Sequence, residues 1–427
     1  MVDRRVVLGG GMGIAVGALG WAHGAWRGAP AAAAAEARTL SARDFGAVGD
    51  GQTDDTAALQ AALNAALTSG HPGILVIPPG TYRVTRTLRV APPPGAAGNI
   101  GRHSGIMAHG AHLVSAIADH GNVFEFVCRS TIRFVLIEGL DILGGGREGH
   151  GIYIECDQRE NYFYNFCLRD VVVQNCGGDG CHMIGNVFEG QVINTYLRHN
   201  AGNGLTLAHG KNGGILSAIH VFGCVFGENG RRGAALINGC YDASFHGCYF
   251  LLNGTAGLAA ENGCTLLSNC GFENNHAAAR DFAAGDAGLV LSNFGTLVGC
   301  TAYSVFKQTR LIRAFVVGPL VMIGCSGSGD GTAARAGLAH ISGDRAGGVT
   351  LIGCSGAVEY VGIDGLELGS PHGGMRLAAD WRSPNLLRLG EYRLWIDAHG
   401  QLRVKEGAPT GDEDGATVGA RAPTGRT

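Results

Sequence analysis

The sequence has little proline and little charge: 12 of its 427 residues are proline, and 16% are Asp, Glu, Lys or Arg. The scarcity of proline and the lack of a Gly-X-Y period exclude a collagen-like chain. The formal net charge is −3 and no long run of either sign occurs, so the sequence does not predict binding to nucleic acid. After residue 37, no segment approaches the roughly 20 apolar residues of a transmembrane helix.

Glycine, in contrast, is abundant. The chain has 73 glycines, more than twice the usual ~7%. Hydrophobic residues make up 46% of the chain and recur in short runs of Val, Ile, Leu and Phe, which excludes an intrinsically disordered chain. Many short strands joined by tight corners are expected, as in a sandwich, a barrel or a solenoid.

Residues 1–37 are typical of an export signal. Arg4 and Arg5 precede a weakly apolar, glycine-rich stretch, and an alanine run follows up to Ala37. This arrangement resembles a twin-arginine signal. We therefore expect a periplasmic or secreted protein with no membrane span once the signal is removed.

The cysteines follow a repeat. Six of the 13 each come after Gly or Asn and an apolar run, at intervals of 24, 22, 30, 25 and 29 residues: Cys224, Cys248, Cys270, Cys300, Cys325 and Cys354. One residue type in register at a period near 25 predicts stacked repeats. We interpret these cysteines as small buried hydrophobes. One or two disulfides remain an alternative, and an odd count leaves at least one thiol unpaired.

Glycine and asparagine repeat in the same way. A glycine opens a short apolar strand at Gly151, Gly180, Gly204, Gly233, Gly257 and Gly288, and Cys176, Asn200, Asn229 and Asn253 come four residues before four of them. Asparagines in one register suit a ladder of side-chain amides inside a corner. Strands at this period without intervening helices predict a parallel β-helix, with about a dozen coils between residues 73 and 370 and ~4.8 Å between successive turns.

The start of the predicted mature chain adds a more specific signal. Residues 44–56 (DFGAVGDGQTDDT) and 73–82 (GILVIPPGTY) resemble the opening of the pectate-lyase-3 superfamily. This superfamily contains the rhamnogalacturonase and epimerase-like right-handed β-helices and many phage tailspikes. The resemblance implies an all-β fold, a single-stranded right-handed parallel β-helix that binds or modifies a polysaccharide.

The predicted organisation has four parts: a signal at 1–37, the β-helix at 38–375, a C-terminal β-hairpin region at 376–419 and a flexible tail at 420–427. Within the second part, a helix near 54–68 carries Leu59, Leu63 and Leu67 on one stripe, and it is expected to cap the open end of the coil. The hairpin is too small to stand alone and must dock on the coil or on another subunit. A homo-oligomer, specifically a trimer, is therefore a hypothesis.

The candidate site follows from the glycine register. The apolar residues one and three positions after each glycine point inward, so the position two after it faces solvent. Residues of neighbouring rungs in one register lie ~4.8 Å apart. These positions together predict one polar stripe. The position before each glycine contributes His150, Asp179, Asn203 and Arg232, and the position two after it contributes Tyr153 and His182. Glu148, two residues before His150, is expected to reach the same surface.

Two chemistries fit this stripe. A glycoside hydrolase needs two carboxyl groups, for which Asp179 and Glu148 are the candidates. A lyase or epimerase needs a base near the sugar C5 and a group that neutralises the uronate carboxylate. His182 or Tyr153 would be the base. The neutralising and substrate-binding candidates are His150, Asn203 and Arg232, with Tyr153 also available to bind substrate. No cofactor is expected, although a single Ca²⁺ held by carboxylates remains open.

The chain departs from known hydrolase patterns. Gly149-His150-Gly151 precedes Asp179, the reverse of the polygalacturonase order, and neither a second adjacent acid nor an Arg-Ile-Lys follows. The Asp-Pro-His-Asp motif of alginate epimerases is also missing. We therefore predict an extracytoplasmic carbohydrate-active enzyme, with a glycoside hydrolase ahead of a polysaccharide lyase or uronan epimerase. The alternatives from other classes are a tailspike-like glycan-binding protein without turnover and a structural surface protein.

Overall fold

A computed structural model describes most of the chain from residue 38 to residue 418. The described residues are 38–69, 73–92, 103–157, 160–237, 240–260, 265–275, 287–291, 295–304, 310–315, 320–329, 337–342, 349–355, 358–361, 366–369, 375–377, 387–389, 392–397, 399, 401–407, 409–411 and 413–418. The predicted signal at 1–37 and the tail at 420–427 lie outside them.

The chain winds as a right-handed parallel β-helix, which confirms the predicted fold. One sheet, here called sheet 1, has one strand per coil, and the described residues contribute twelve strands to it. Its strands are Leu88–Val90, Phe124–Val127, Ile152–Cys156, Cys181–Gly185, Leu205–Ala208, Ala234–Ile237, Leu258–Ala260, Ala287–Leu291, Arg310–Phe315, Gly337–Ser342, Val358–Val361 and Met375–Leu377. Each strand pairs in parallel with the next, so residues distant in sequence become neighbours on one outer wall.

A second sheet, sheet 2, contains 24 strands within the described parts of the chain. These strands form two columns, because several coils bend once between two of their strands. The first column contains Arg38–Ser41, Gly73–Val76, Ser104–Ser115, Ile132–Arg133, Val135–Leu143, Phe163–Tyr164, Cys167–Arg169, Val187–Ile193, Leu216–Phe222, Ala243–His246, Thr265–Ser268, Gly295–Val298, Leu320–Ile323, Val349–Ile352 and Leu366–Gly369. The second contains Asp50–Asp54, Gly80–Val84, Val172–Gln174, Tyr196–Arg198, Val225–Gly227, Tyr249–Leu251, Gly271–Glu273, Thr301–Ser304 and Ser326–Gly329.

A helix near the start of the coil matches the predicted cap. It begins after a 3-10 turn at Ala42–Phe45, runs as α-helix over Thr56–Leu63 and continues as π-helix over Asn64–Thr68. Leu59, Leu63 and Leu67 are 0–1% exposed. The adjacent acids have structural roles: Asp55 accepts hydrogen bonds from the backbone amides of Val48 and Gly49, and Asp54 accepts one from Thr56 N–H.

The interior contains the two predicted ladders. Asn200, Asn229, Asn253 and Asn275 are each 0–1% exposed, and each side-chain Nδ2 in turn donates to Oδ1 of the next at 2.8–3.1 Å. The six in-register cysteines are also 0–1% exposed, and none of the 12 cysteines that the structure describes is in a disulfide. Cys264, the thirteenth, lies outside the described residues. The cysteines therefore act as packed core residues, as the repeat predicted.

The C-terminal part holds a four-stranded antiparallel sheet of Leu387–Leu389, Tyr392–Ile396, Leu402–Glu406 and Ala416–Thr417. The two central strands form the predicted hairpin. Asp397 supports its turn by accepting hydrogen bonds from Gln401 N–H at 2.8 Å and from Arg403 Nε at 2.7 Å. Among the described residues, no helix has the length and apolar character needed to cross a membrane.

Candidate functional site

One outward row of sheet 1 carries the predicted chemistry. The register aligns Tyr153 with His182 on the next rung and His182 with Thr206 on the one after. Their neighbours Ile152 and Ile154 are fully buried, as the alternation predicted. The row is open only in part, however, because Thr206 is 1% exposed and Ala235 beyond it is 0% exposed. The accessible surface therefore centres on Tyr153 and His182.

The residues before each glycine form a second ladder, which sequence reasoning did not foresee. His150 N–H donates to Asn122 Oδ1, Asp179 N–H to His150 Nδ1, Asn203 N–H to Asp179 Oδ1 and Arg232 N–H to Asn203 Oδ1, all at 2.7–3.0 Å. In four successive rungs the side chain accepts a hydrogen bond from the backbone of the following rung. Asn fills this role in the two outer rungs, and His and Asp fill it in the two central rungs.

Asp179 and His182 form a hydrogen-bonded pair. Asp179 Oδ2 lies 2.8 Å from His182 Nδ1 and accepts a second bond from Thr206 Oγ1 at 2.7 Å. Burial alone would raise the pKa of the Asp179 carboxyl, but bonds from His182, Thr206 and the Asn203 backbone outweigh it and hold that pKa below its ordinary value. An ionised carboxylate only accepts, so His182 Nδ1 carries the proton and Nε2 keeps its lone pair.

His150 is held in the opposite tautomer. Its Nδ1 accepts the Asp179 N–H at 2.9 Å, so the proton of the neutral ring is on Nε2. Burial, together with the neighbouring His182, lowers the pKa of His150. The two rings are 4.6 Å apart between centroids. His150 is therefore a neutral N–H donor beside His182 and is not the cation that the sequence analysis allowed.

Tyr153 completes the exposed surface. Its ring lies 5.5 Å from His150 and 5.6 Å from His182 between centroids. Burial, followed by the nearby Glu155 carboxylate, raises the pKa of Tyr153 to about 12. A phenol with this pKa stays protonated at neutral pH, so Tyr153 is suited to donate a proton and not to act as the base.

The expectation that Glu148 shares this surface is wrong. Glu148 is 1% exposed, and its carboxylate accepts backbone N–H bonds from Gly145, Gly146 and Gly177 at 3.0 Å, with a further contact from Ser115 Oγ at 3.2 Å. The short Gly-rich loop folds around this carboxylate, which accepts the hydrogen bonds of loop amides that do not pair with a strand. Glu148 thus stabilises a corner and is not available as a second catalytic acid.

The other two predicted residues lie in the acceptor ladder, away from the open surface. Asn203 is 9% exposed, and its Nδ2 donates to Thr206 Oγ1 at 2.9 Å. Asn203 therefore supports the Asp179–His182 pair from behind, and little of its surface is exposed. Arg232 lies two rungs beyond Asp179 in the ladder, about 10 Å away along the coil axis.

Sequence reasoning missed two residues that extend the row in the other direction. The register aligns Tyr153 with Glu125, and Glu125 with Arg89 on the first rung of sheet 1. Arg89 Nε lies 2.6 Å from Glu125 Oε2. These rungs have no glycine in the register, so the glycine pattern does not find them. The sequence does contain a signal for Glu125, because this charged residue alternates with Phe124 and Phe126, both of which are buried.

A metal ion has one candidate site in the part of the chain that the structure describes. His150, Asp179 and His182 each offer a ligand atom, and these atoms lie within 4.8 Å of one another. Two imidazoles and one carboxylate suit Zn²⁺ better than Ca²⁺, which prefers six to eight oxygens. The Nδ1 atoms and both Asp179 oxygens already take part in hydrogen bonds, so an ion bound through them would have to replace those bonds.

Three family models match the chain. The model described as "Rhamnogalacturonase A/epimerase, pectate lyase-like" matches residues 39–100. The model "Right handed beta helix region" matches residues 127–302, and "Capsule depolymerase" matches residues 354–420.

Curated relatives match over short stretches only. The "Mannuronan C5-epimerase AlgE3" of Azotobacter vinelandii is 50% identical over 52 residues, which are 12% of this chain and 3% of the relative. The "Glucan 1,3-beta-glucosidase" of Cochliobolus carbonum is 43% identical over 72 residues, 17% of this chain and 9% of the relative. The chain thus spans a small fraction of the length of these relatives.

Solved structures share the fold over most of the chain. A Geobacillus virus E2 protein, ORF18, has a TM-score of 0.57 at 19% identity and covers 87% of this chain and 68% of its own. PfbA, a surface adhesin of Streptococcus pneumoniae, has a TM-score of 0.52 at 13% identity, over 86% of this chain and 99% of its own. Together with the match of residues 127–302 to "Right handed beta helix region", these similarities show that the chain has the right-handed parallel β-helix fold.

Proposed function

We propose that the protein is an extracytoplasmic polysaccharide-modifying enzyme that removes the proton at C5 of a uronic acid unit, as a lyase or an epimerase. The observation that carries this proposal is the 2.8 Å bond between Asp179 Oδ2 and His182 Nδ1. It leaves Nε2 of His182 as a base on an open surface that also carries a protonated tyrosine. The names of the curated relatives, a mannuronan C5-epimerase and a glucan 1,3-beta-glucosidase, support a polysaccharide substrate.

His182 is the proposed base. When its Nε2 takes the C5 proton, the ring becomes a cation, and the Asp179 carboxylate 2.8 Å away stabilises that charge. The electron pair from the broken C5–H bond moves toward the uronate carboxylate. His150 Nε2–H, which is neutral and neighbours His182, donates a hydrogen bond to that carboxylate as its negative charge grows.

Tyr153 is the proposed acid. In elimination, the electron pair returns from the carboxylate to form a C4–C5 double bond, the C4–O bond breaks, and the Tyr153 hydroxyl protonates the departing oxygen. In epimerisation, the same hydroxyl protonates C5 from the opposite face and no bond of the chain breaks. The raised pKa of Tyr153, about 12, keeps this proton in place until the step requires it.

A glycoside hydrolase is the second candidate, because the match of residues 354–420 to "Capsule depolymerase" supports cleavage of a polysaccharide chain, which can occur by hydrolysis as well as by elimination. A hydrolase needs a second accessible carboxyl group near Asp179. Glu148 does not fill that role, since its carboxylate is enclosed by backbone amides. Glu125 lies on the same surface, but it is paired with Arg89 and its side chain is only 10% exposed.

The test is to incubate the purified protein with polymannuronate, with polygalacturonate and with neutral glucans. Elimination produces unsaturated chain ends that absorb in the ultraviolet, epimerisation in D₂O places deuterium at C5, and hydrolysis produces reducing ends with neither. We expect one of the first two outcomes with an acidic polysaccharide. Hydrolysis would establish the second candidate in its place. Binding without product would indicate the non-catalytic, tailspike-like alternative.

A matched pair of variants links the activity to the site. H182Q is expected to abolish turnover. H112Q removes a histidine that also lies beside a carboxylate, Asp141 at 2.6 Å, but on sheet 2, and should retain turnover. Equal activity in the two variants would place the chemistry elsewhere. The predicted export and the trimer are tested on the same preparation, by the N-terminal sequence of the mature protein and by its mass in solution.

A further inference from the structure

The first two rungs of sheet 1 place an arginine in line with the site. Arg89, Glu125, Tyr153 and His182 share one outward row on four consecutive rungs. Arg89 points outward because its neighbours Leu88 and Val90 are 1% exposed, whereas its own side chain is 51% exposed. Its guanidinium reaches toward Glu125 and so lies about two rungs, or ~10 Å, from His182.

The backbone of Arg89 is fixed by the capping helix. Gln60 Nε2 donates to Arg89 O at 2.8 Å, and Arg89 N–H donates to Gln60 Oε1 at 2.7 Å. This side-chain amide pairs the free edge of the first strand in sheet 1. The strand that carries Arg89 is therefore held in a defined position relative to the row.

The guanidinium is oriented by one of its five donors. Glu125 binds its Nε at 2.6 Å, and Glu125 is itself held by Asn122 Nδ2 at 2.8 Å. Among the described residues, the two Nη atoms of Arg89 donate no hydrogen bond. With respect to these residues the guanidinium is held through Nε, and its Nη pair forms a fork, which is the geometry that receives a carboxylate through two bonds.

We propose that Arg89 forms a binding subsite for the carboxylate of a sugar unit about two units away from the one that reacts at His182. Successive rungs are ~4.8 Å apart, comparable to the length of one sugar ring in an extended chain. An acidic glycan that runs parallel to the coil axis then places one unit over each rung. This inference rests on the proposed function, and it specifies the charge of the substrate and the direction in which it lies.

A second interstrand ion pair provides a matched control. Arg169 and Glu138 are also register partners on adjacent rungs, with side chains 44% and 12% exposed, but they lie on sheet 2. The Arg89 and Glu125 side chains are 51% and 10% exposed. R169Q therefore removes the same charge from the same kind of pair at a distance from the site.

The test measures binding in the inactive H182Q background by titration calorimetry, with short oligomannuronates and oligogalacturonates as probes. We expect R89Q to weaken binding by about ten-fold or more, the loss expected for a charged hydrogen-bonded contact. R169Q should change the affinity less than about two-fold. Carboxyl-reduced forms of the same oligosaccharides lack the group that Arg89 would bind. They should therefore bind with equal affinity to H182Q and to H182Q/R89Q.

Three results would overturn the subsite. Equal losses of affinity in R89Q and R169Q would indicate general electrostatics. No loss of affinity in R89Q, or no binding by any of the proteins, would overturn the subsite as well. Because R89Q leaves Glu125 unpaired, R89Q/E125Q is measured as well and should show the same loss with an unchanged melting temperature. If binding depends on Arg89 but the wild type shows no turnover, the subsite is supported and the proposed function is rejected. If the wild type shows turnover but R89Q does not change binding, the proposed function is supported and the subsite is rejected.

Discussion

Asp179 Oδ2 lies 2.8 Å from His182 Nδ1, within a ladder in which Asp179 Oδ1 also accepts the backbone N–H of the next rung. We expect the carboxylate to have two functions, one structural and one chemical, and each uses a different oxygen. Its side chain is only 10% exposed, so in the proposed reaction Asp179 acts through His182 as a positioning residue.

Replacing Asp179 by Asn separates these functions. The amide oxygen can still accept the Asn203 N–H, so the coil should fold, but an amide NH₂ facing His182 favours the tautomer with the proton on Nε2. We expect kcat to fall by at least ~100-fold with circular dichroism and melting temperature close to wild type. A variant that folds and retains wild-type turnover would show that Asp179 is not part of the machinery.

Thr206 is expected to hold Asp179 in place, although it touches no solvent. Its Oγ1 donates to Asp179 Oδ2 at 2.7 Å and accepts from Asn203 Nδ2 at 2.9 Å. T206V removes one of the bonds that lower the pKa of Asp179, so that pKa should rise. The ¹⁵N spectrum of the His182 ring should show a mixture of tautomers.

The controls for Thr206 are built into the chain. T206S keeps the hydroxyl and should restore the single tautomer. T195V removes another buried hydroxyl, which donates to Ile193 O at 3.0 Å, and it should leave the His182 spectrum unchanged. An unaltered spectrum in T206V would contradict the positioning role.

The pH dependence of stability should have two contributions. The pKa of His150 is lowered in the fold, so below its unfolded value, about 6.5, the unfolded state binds more protons and stability decreases as pH falls. The pKa of Asp179 is also lowered, so its contribution is complete above about 3.9 and is lost as pH falls through the folded value.

H150N isolates the first contribution. Asn occupies the equivalent ladder position at Asn122 and Asn203, so this variant should keep the acceptor for Asp179 N–H. Urea unfolding between about pH 5 and 7 should show a smaller slope of unfolding free energy against pH than in the wild type. An identical slope would mean that His150 does not titrate differently in the two states.

Breaking the asparagine ladder should lower the free energy of unfolding more than changing an exposed asparagine does. Asn229 is 1% exposed, and its amide links Asn200 to Asn253 and donates to Leu197 O at 2.9 Å. N229A leaves buried partners unsatisfied and should reduce the free energy of unfolding by about 2–4 kcal/mol. N64A, at an exposed position of the capping helix, should cost less than ~0.5–1 kcal/mol in the same urea titration.

Added Zn²⁺ should inhibit the proposed reaction. An ion bound by His150, Asp179 and His182 would take the atoms that now form the hydrogen bonds of the proposed base. Turnover should decrease as Zn²⁺ is added and recover with a chelator, while chelator alone has no effect. Activation by Zn²⁺ would contradict this prediction and would indicate that a bound ion takes part in the reaction.

The repeat was readable from the sequence because a β-helix imposes one environment on one residue per coil. Cysteines and asparagines recur at the spacing of the windings since only small or self-pairing side chains fit the stacked interior positions. The glycine register gave the outward row as well, and it placed Tyr153 next to His182 correctly.

The positions of Glu148 and Arg89 could not be predicted from the sequence repeat. Glu148 was expected at the surface from its distance along the chain, but the loop that carries it folds inward around its carboxylate. Arg89 and Glu125 join the row from coils without a glycine in the register.

The sequence by itself determined the winding of the chain and the side of each strand that faces inward, because these follow from local spacing that repeats coil after coil. Only the tertiary structure decided which polar side chains are bonded to each other and which are left open. That outcome depends on contacts between coils and on how each corner folds, and neither is periodic in the sequence.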